Sequence, residues 1–524
     1  MTIPIIIGVL VVAFLLIRIW TGAMNISSVD TQSLAEVENK HPYLPSMKVM
    51  LGAVAATAVV IFLSMQYGKG TVLLTSVVDK STAYRSLFVF LAIVAFGIFD
   101  QARWHGSKDR YRYFFAFVLG TVVTWILIAF KRAIFETGIQ QDPFLVALGV
   151  VCVVVSWRFL FGPWSASIKA TVLGTFVFWV TYAILRHATG EVLFATTLAA
   201  LVAVVPVIIW CKLFLSYHRQ RLSIVFLAFF AGMLSTAPIL FYNDLMTHSI
   251  QLNFFLFKVV PLSFGTSANA FVKTTLLDGV GLKSTLAIVL TTLVTYLIVG
   301  IIEEVSKYWV LRHSSKSFFR SVDDAMQLAI IVAIGFAFAE NLVNPTYFVG
   351  FVRNYLIHPQ TPMWGAFIGN VIGRAVLTNM VHILSTGVLG YFFGLAYFAS
   401  PLLRDQFAQG NVHPVINWIR KLLDLRTEAV YGRFQMALGI GAAVLLHGAF
   451  DFTVSLPDVL PGNPASIGAL IGADQSSFLS SIAITLVPAV LYVVGGLWLL
   501  VYLFARKEDM KEFGSIIETQ TFLN

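Results

Sequence analysis

Charge is scarce in this sequence. Only 12% of its 524 residues are Asp, Glu, Lys or Arg, about half the share found in soluble domains. With 58% hydrophobic residues and a mean hydropathy of +0.84, the composition excludes an ordinary soluble domain and fits an integral membrane protein with many spans. Cysteine is nearly absent. The two present, Cys152 and Cys211, both lie in apolar runs, which excludes a disulfide framework. The opening "MTIPIIIGVLVVAFLLIRIW" lacks a basic n-region and a clear small-residue cleavage site, so it is expected to persist as a first span. No basic stretch is interleaved with aromatics. The net charge of +9 sits in short loops between apolar runs, which points to membrane topology and away from nucleic acid as a partner.

What is present is a long series of apolar runs of about 20 residues, enough for about thirteen transmembrane helices. They fall near 3–20, 47–66, 84–100, 113–130, 143–161, 168–186, 192–214, 223–242, 284–306, 323–343, 363–398, 433–453 and 478–505. The expected fold is therefore an all-α, polytopic helical membrane protein with no β domain. The run at 363–398 has the length of one tilted helix or of a re-entrant piece plus a helix. Placing the N-terminus outside and the C-terminus in the cytoplasm puts most Lys and Arg on the inner side, including "RWHGSKDRYR" and "KYWVLRHSSKSFFR". Two connecting segments have an interfacial pattern. "IQLNFFLFKVVPLSF" lies in the outer loop 243–283, and "VINWIRKLLDLRTEAV" lies in the cytoplasmic segment 404–432. No strong internal repeat is visible. The expected division is an N-terminal membrane domain over 1–283 with about eight spans, a polar-bearing core over 284–454, and a last span with a polar cytoplasmic tail over 455–524.

Ionisable groups inside a span cost several kcal/mol and mark function by default. Here they concentrate on four consecutive helices. "GIIEEVSKYW" carries Glu303, Glu304 and Lys307 after the uncharged run from Ser284 to Ile302. "GFAFAEN" carries Glu340 and Asn341, "GRAVLTNMVHILSTG" carries Arg374, Asn379 and His382, and "LLHGAFDF" carries His447 and Asp451. Four-residue spacing puts Glu303 with Lys307, His447 with Asp451, Phe336 with Glu340 and His382 with Thr386 on shared helix faces. Asp451 is expected to accept from one nitrogen of His447 and fix its tautomer. Counting along the helices at about 1.5 Å per residue brings the four clusters to comparable depth, with Glu304 the shallowest. It meets the others only if its helix runs well past the membrane boundary.

Several protease signatures are missing. There is no His-Glu-x-x-His zinc motif and no Gly-x-Ser-x-Gly elbow. The motifs "EEVSK" at 303–307, "GFAFAEN" at 335–341, "HILSTGVLGYFFG" at 382–394 and "HGAFD" at 447–451 nevertheless occur in the order seen in PrsW-type membrane proteases. Between Ser284 and Asp451 the chain resembles that family, within a wider group that includes CAAX prenyl proteases and bacteriocin-processing enzymes. Lys307 stands where the CAAX branch usually has Arg, and Glu340 where it has His; both look like the PrsW branch. The resemblance implies a glutamic-type intramembrane endopeptidase. Its substrate would be a membrane-embedded or membrane-near segment, such as an anti-sigma factor or a lipidated or leader-bearing peptide. Hydrolysis needs an activated water, an acid for the leaving amine and an oxyanion stabiliser. Two adjacent carboxylates in a low-dielectric site do not both ionise readily, so one can hold a proton. Glu303 or Glu304 is expected to activate water, with Glu340 sharing the proton traffic. His382 and His447 would stabilise the oxyanion or protonate the amine, Asp451 would orient His447, and Lys307 would tune the acid pair. Asn341 and Arg374 support the set, Arg374 by neutralising a carboxylate. No cofactor is assigned; zinc held by Glu304, Glu340, His382 and His447 is the alternative for the same hydrolase. A proton- or ion-coupled transporter, or a partner-binding scaffold, is the non-enzymatic alternative.

Overall fold

The computed structural model of the chain describes residues 108–135, 143–186, 190–240, 252–254, 257–259, 285–343, 368–400, 414–423, 426–460 and 486–512, with shorter pieces near 352–360, 402–410 and 462–484. The spans expected at 3–20, 47–66 and 84–100 lie outside these residues. Nearly everything described is helix, and seven helices are long and apolar enough to cross a membrane by length and composition. The chain divides into two compact units, 1–187 and 188–524.

In the first unit, α1 (Lys108–Phe135), α2 (Pro143–Leu160) and α3 (Ala166–Arg186) pack together. The indole of Trp179 donates to Thr121 Oγ1 across α3 and α1 at 2.9 Å, giving a half-buried polar tip a partner.

The second unit holds every candidate site residue. It contains α4 (Gly190–Tyr217), α5 (Leu222–Leu234), α6 (Thr285–Ser314), α7 (Val322–Val343), a π-helix over Ile368–Thr378 that runs directly into α8 (Asn379–Tyr397), α9 (Pro414–Leu423) and α10 (Thr427–Val459). A final helical segment begins at Leu486 and ends with α11 (Gly496–Glu512). Helices α7 and α8 form the centre. They are 78% and 83% buried over their apolar windows, whereas α4 and the last span are only 28% and 24% buried and turn large apolar side chains outward, the pattern of lipid-facing helices around a protein-buried pair.

Small residues allow the central helices to close in. A Cβ on Gly335 of α7 would collide with the Phe229 carbonyl of α5, and one on Gly232 of α5 would collide with the Val332 carbonyl of α7. Gly390 and Gly394 let α8 approach Ala329 and Val322 in the same way, and Gly448 of α10 lies against Tyr296 and Leu297 of α6. Such backbone approach is the main source of helix association where lipid tails are as apolar as leucine. Gly335→Val should therefore force α5 and α7 apart and cost about 1–3 kcal/mol or more. The expected readout is a lowered unfolding midpoint in detergent; an unchanged midpoint would contradict the close approach.

The N-terminus of α7 is capped by Asp324. One carboxylate oxygen accepts from the backbone N–H of Arg320 at 2.8 Å and of Ser321 at 3.2 Å, satisfying donors that a helix start leaves open. The other accepts from His218 Nε2 at 2.6 Å and from Gln220, which ties the turn between α4 and α5 to the start of α7.

Three connecting elements differ in detail from the sequence-based expectation. Within residues 243–283, Leu252–Phe254 and Phe257–Val259 pair as a two-stranded antiparallel ladder, which is not a β domain. The run at 363–398 is a π-helix joined to an α-helix from Ile368 onward, with no break between them. The amphipathic pattern after Val415 does form α9, but the helix ends at Leu423 and Arg426 is extended. The last residues of that pattern, from Thr427, instead open α10. Helix α9 buries Ile416 against Leu403, Val430 and Tyr431 and leaves Val415 and Trp418 exposed.

Candidate functional site

Helices α6, α7, α8 and α10 each contribute ionisable side chains to one buried cluster. Glu304 lies at its centre and is fully buried. Its Oε1 accepts from Lys307 Nζ at 2.8 Å, Ser385 Oγ at 2.9 Å and His447 Nδ1 at 2.8 Å; its Oε2 accepts from Thr386 Oγ1 at 2.9 Å. A buried carboxylate requires this degree of pairing. The concern that Glu304 would be too shallow is answered by α6 itself, which continues to Ser314 and so carries Glu304 into the interior of the bundle.

Lys307, also fully buried, reaches three groups at once. Besides Glu304, its Nζ is 3.0 Å from His382 Nδ1 and 3.6 Å from Glu303 Oε2, and it lies 4.1 Å from the centroid of the Phe336 ring. An ammonium only donates, so His382 Nδ1 is the accepting nitrogen. His382 Nε2–H then donates to Glu340 Oε2 at 3.0 Å. Glu340 is held in turn by Arg374 Nη1, 3.2 Å from its other oxygen, the neutralising role expected of that arginine.

His447 is fixed by the same logic. Its Nδ1–H donates to Glu304, which leaves Nε2 facing Glu303 Oε2 at 3.5 Å and Asp451 Oδ2 at 3.6 Å. The expected Asp451–His447 hydrogen bond is thus not formed. Glu304, reaching across from α6, orients the ring instead, because it meets Nδ1 at hydrogen-bond distance while the four-residue spacing along α10 leaves Asp451 too far from Nε2. The two imidazoles stand edge to face, with centroids 4.8 Å apart.

The two glutamates of α6 are therefore unlike. Glu304 has both oxygens engaged. Glu303 Oε2 is buried and accepts no hydrogen bond, although Lys307 Nζ, His382 Nδ1 and His447 Nε2 surround it at 3.5–3.9 Å. Glu340, Arg374 and Asp451 form the more open side, with side chains 22–29% exposed against 10% or less for Glu303, Glu304, Lys307, His382 and His447. Asn341, beside Glu340, is buried, but its Oδ1 has no partner and it makes no hydrogen bond to the cluster among the described residues.

Sequence reasoning assigned no role to Ser385, and it noted Thr386 and Phe336 only as sharing faces with His382 and Glu340. The signal for all three was present: they adjoin, or lie one helical turn from, a charged group on a helix buried all round. It also missed the π-helix before α8. Its wide turns leave the Ala375 carbonyl to accept from Trp210 Nε1 at 2.9 Å and from Asn379 Nδ2 at 3.0 Å. Wide turns of this kind are frequent at functional sites, and this one carries Arg374.

Donors suited to a metal do converge. One atom each from Glu303, His382 and His447 lie within 4.8 Å of one another, and all three residues are buried. This is not the set expected from the sequence. Glu304 is saturated by four donors, and Glu340 lies on the far side of the His382 ring, on Nε2. Within the convergent set the residue types suit zinc, but the arrangement does not fit an ion as it stands. Glu303 Oε2 and His447 Nε2 are open, whereas the His382 nitrogen on this side already accepts from Lys307.

The fold and cluster define a multi-pass integral membrane protein with a buried glutamate–histidine site. Residues 220–473 match the family model for "PrsW family intramembrane metalloprotease". The match supports the PrsW family and an intramembrane protease, and the matched span contains every candidate site residue. No curated protein and no solved structure gives a significant match to the chain.

Proposed function

We propose that this chain is an intramembrane endopeptidase in which Glu303 activates the attacking water, with its N-terminus outside and its C-terminus in the cytoplasm. The observation that supports it most is the contrast between the two glutamates: Glu304 is consumed by four hydrogen bonds, while Glu303 Oε2 is buried and accepts none. A general base must keep a lone pair available within reach of the proton it removes. In this reading Glu303 takes a proton from water as the hydroxyl oxygen bonds to the peptide carbonyl carbon. The tetrahedral intermediate then collapses, the C–N bond breaks, and the proton passes to the leaving amine, either from Glu303 or through His447 Nε2 at 3.5 Å. Lys307 sets the electrostatics of the acid pair, and Glu340 with Arg374 holds the second histidine. The hydrolytic core would be 284–454, with α4 and α5 as its buttress on α7. The substrate would be a membrane-anchored protein or peptide presented at the more open side, near Glu340, Arg374 and Asp451.

A zinc-dependent form of the same hydrolase is favoured by one observation, the convergence of Glu303, His382 and His447. Against it stands Lys307, which already occupies the His382 nitrogen on that side.

Reconstituted vesicles separate the enzymatic reading from a transporter. Wild-type protein should cleave a membrane-anchored test peptide at a defined bond and carry no proton or cation flux. Flux without cleavage, lost on Glu303→Gln, would overturn the proposal in favour of an ion pathway.

A further inference from the structure

Two carboxylates inside the buried cluster, Glu303 and Glu304, and two on its more open side, Glu340 and Asp451, attract a cation, and the family description names a metal. The site's own cation is already there. Lys307 Nζ contacts Glu304 Oε1 at 2.8 Å, His382 Nδ1 at 3.0 Å and Glu303 Oε2 at 3.6 Å, with the face of Phe336 closing its remaining side at 4.1 Å. Two of these partners, Glu303 and His382, belong to the three-residue group that converges as a metal site.

We propose that the Lys307 ammonium and a divalent metal ion exclude each other at the Glu303–His382–His447 group, so that Lys307 decides whether this site takes metal. The inference deepens the hydrolase reading by naming the cation of its site, and it rests on that reading only for the use of the site.

Three features support the exclusion. His382 cannot offer a second lone pair by turning its ring, because Nε2 is tied to Glu340 and Glu340 is tied to Arg374. His447 offers only Nε2, since Nδ1 is tied to Glu304. An incoming divalent ion would therefore keep two protein donors instead of the three that open zinc sites use, and would sit beside a fixed positive charge in a low-dielectric interior. The lysine has no alternative seat. It is fully buried, with Glu304 on one side and an aromatic face on the other. Removing its charge should leave an excess of carboxylates around three free donors, which is the condition for metal capture.

The test is metal content, not activity. Full-length wild type, Lys307→Met and the double variant Lys307→Met with Glu303→Gln are purified in detergent, equilibrated with zinc and desalted, and zinc is counted by mass spectrometry. The wild type should retain less than about 0.1 zinc per chain, Lys307→Met about one, and the double variant again less than about 0.1. A wild type that retains about one zinc, lost on Glu303→Gln, overturns the proposal, as does a folded Lys307→Met that gains none. If Lys307→Met is not recovered as a monodisperse protein, the wild type measured with and without Glu303→Gln still decides, because it needs no change at Lys307. Cleavage plays no part in this count. A protein that excludes zinc as expected but cleaves nothing would sink the hydrolase reading and leave this inference standing.

Discussion

Replacing Glu304 by Ala should destabilise the protein by about 3–5 kcal/mol, the cost of leaving a buried charge without its partner. The variant would remove the shared acceptor of four donors at once: the Lys307 ammonium, the His447 N–H and the hydroxyls of Ser385 and Thr386. The latter three residues lie on α8 and α10, while Glu304 and Lys307 lie on α6. The carboxylate thus ties α6 to both neighbours through hydrogen bonds. Thermal unfolding in detergent should show a marked fall in midpoint and loss of the monodisperse species at moderate temperature. Glu304→Gln keeps the shape but presents an amide where acceptors are needed on both oxygens, so it should fall between wild type and Ala. A variant as stable as the wild type would remove Glu304 from its central role.

Replacing Glu303 by Gln should have the opposite profile. Its Oε2 accepts no hydrogen bond, and the change is nearly isosteric, so the unfolding midpoint should barely move. What is lost is the open carboxylate lone pair facing His447 and the ion pair with Lys307 at 3.6 Å. Removal of a general base typically lowers rate by about 10²–10⁴-fold. The fall should appear in kcat, since the group acts on water and not on substrate binding. A Glu303→Gln enzyme with an unchanged turnover would transfer the base to another group, and Glu340 would be the next to test.

The described helices were legible in the sequence because apolar length is a strong signal, and the four polar-bearing helices stood out because charge is so scarce elsewhere. Position along each helix gave these groups a comparable depth, which is as far as counting residues reaches. It did not give the partners within the cluster. Spacing along α10 pairs His447 with Asp451, but a helix pattern carries no information about a neighbour's side chains, and Glu304 takes the histidine instead. The same limit hid the difference between Glu303 and Glu304. Adjacent residues differ by about 100° around a helix, so one points into the helix junction while its neighbour faces the histidine edge, and only packing says which. Ser385 went unread because a serine on a glycine-rich apolar helix looks like a small packing residue. The π-helix at 368–378 has no sequence signature that apolar periodicity detects, and with it the position of Arg374 was out of reach.

The most direct test of the central claim is cleavage of a membrane-anchored peptide in ¹⁸O-labelled water, run with wild type and Glu303→Gln at matched amounts of folded protein. A hydrolase with Glu303 as its base predicts a single new carboxyl terminus carrying one heavy oxygen with the wild type, and a product at least about a hundredfold slower to accumulate with Glu303→Gln. Equal product from both proteins, or none from either across a panel of anchored peptides, would contradict it.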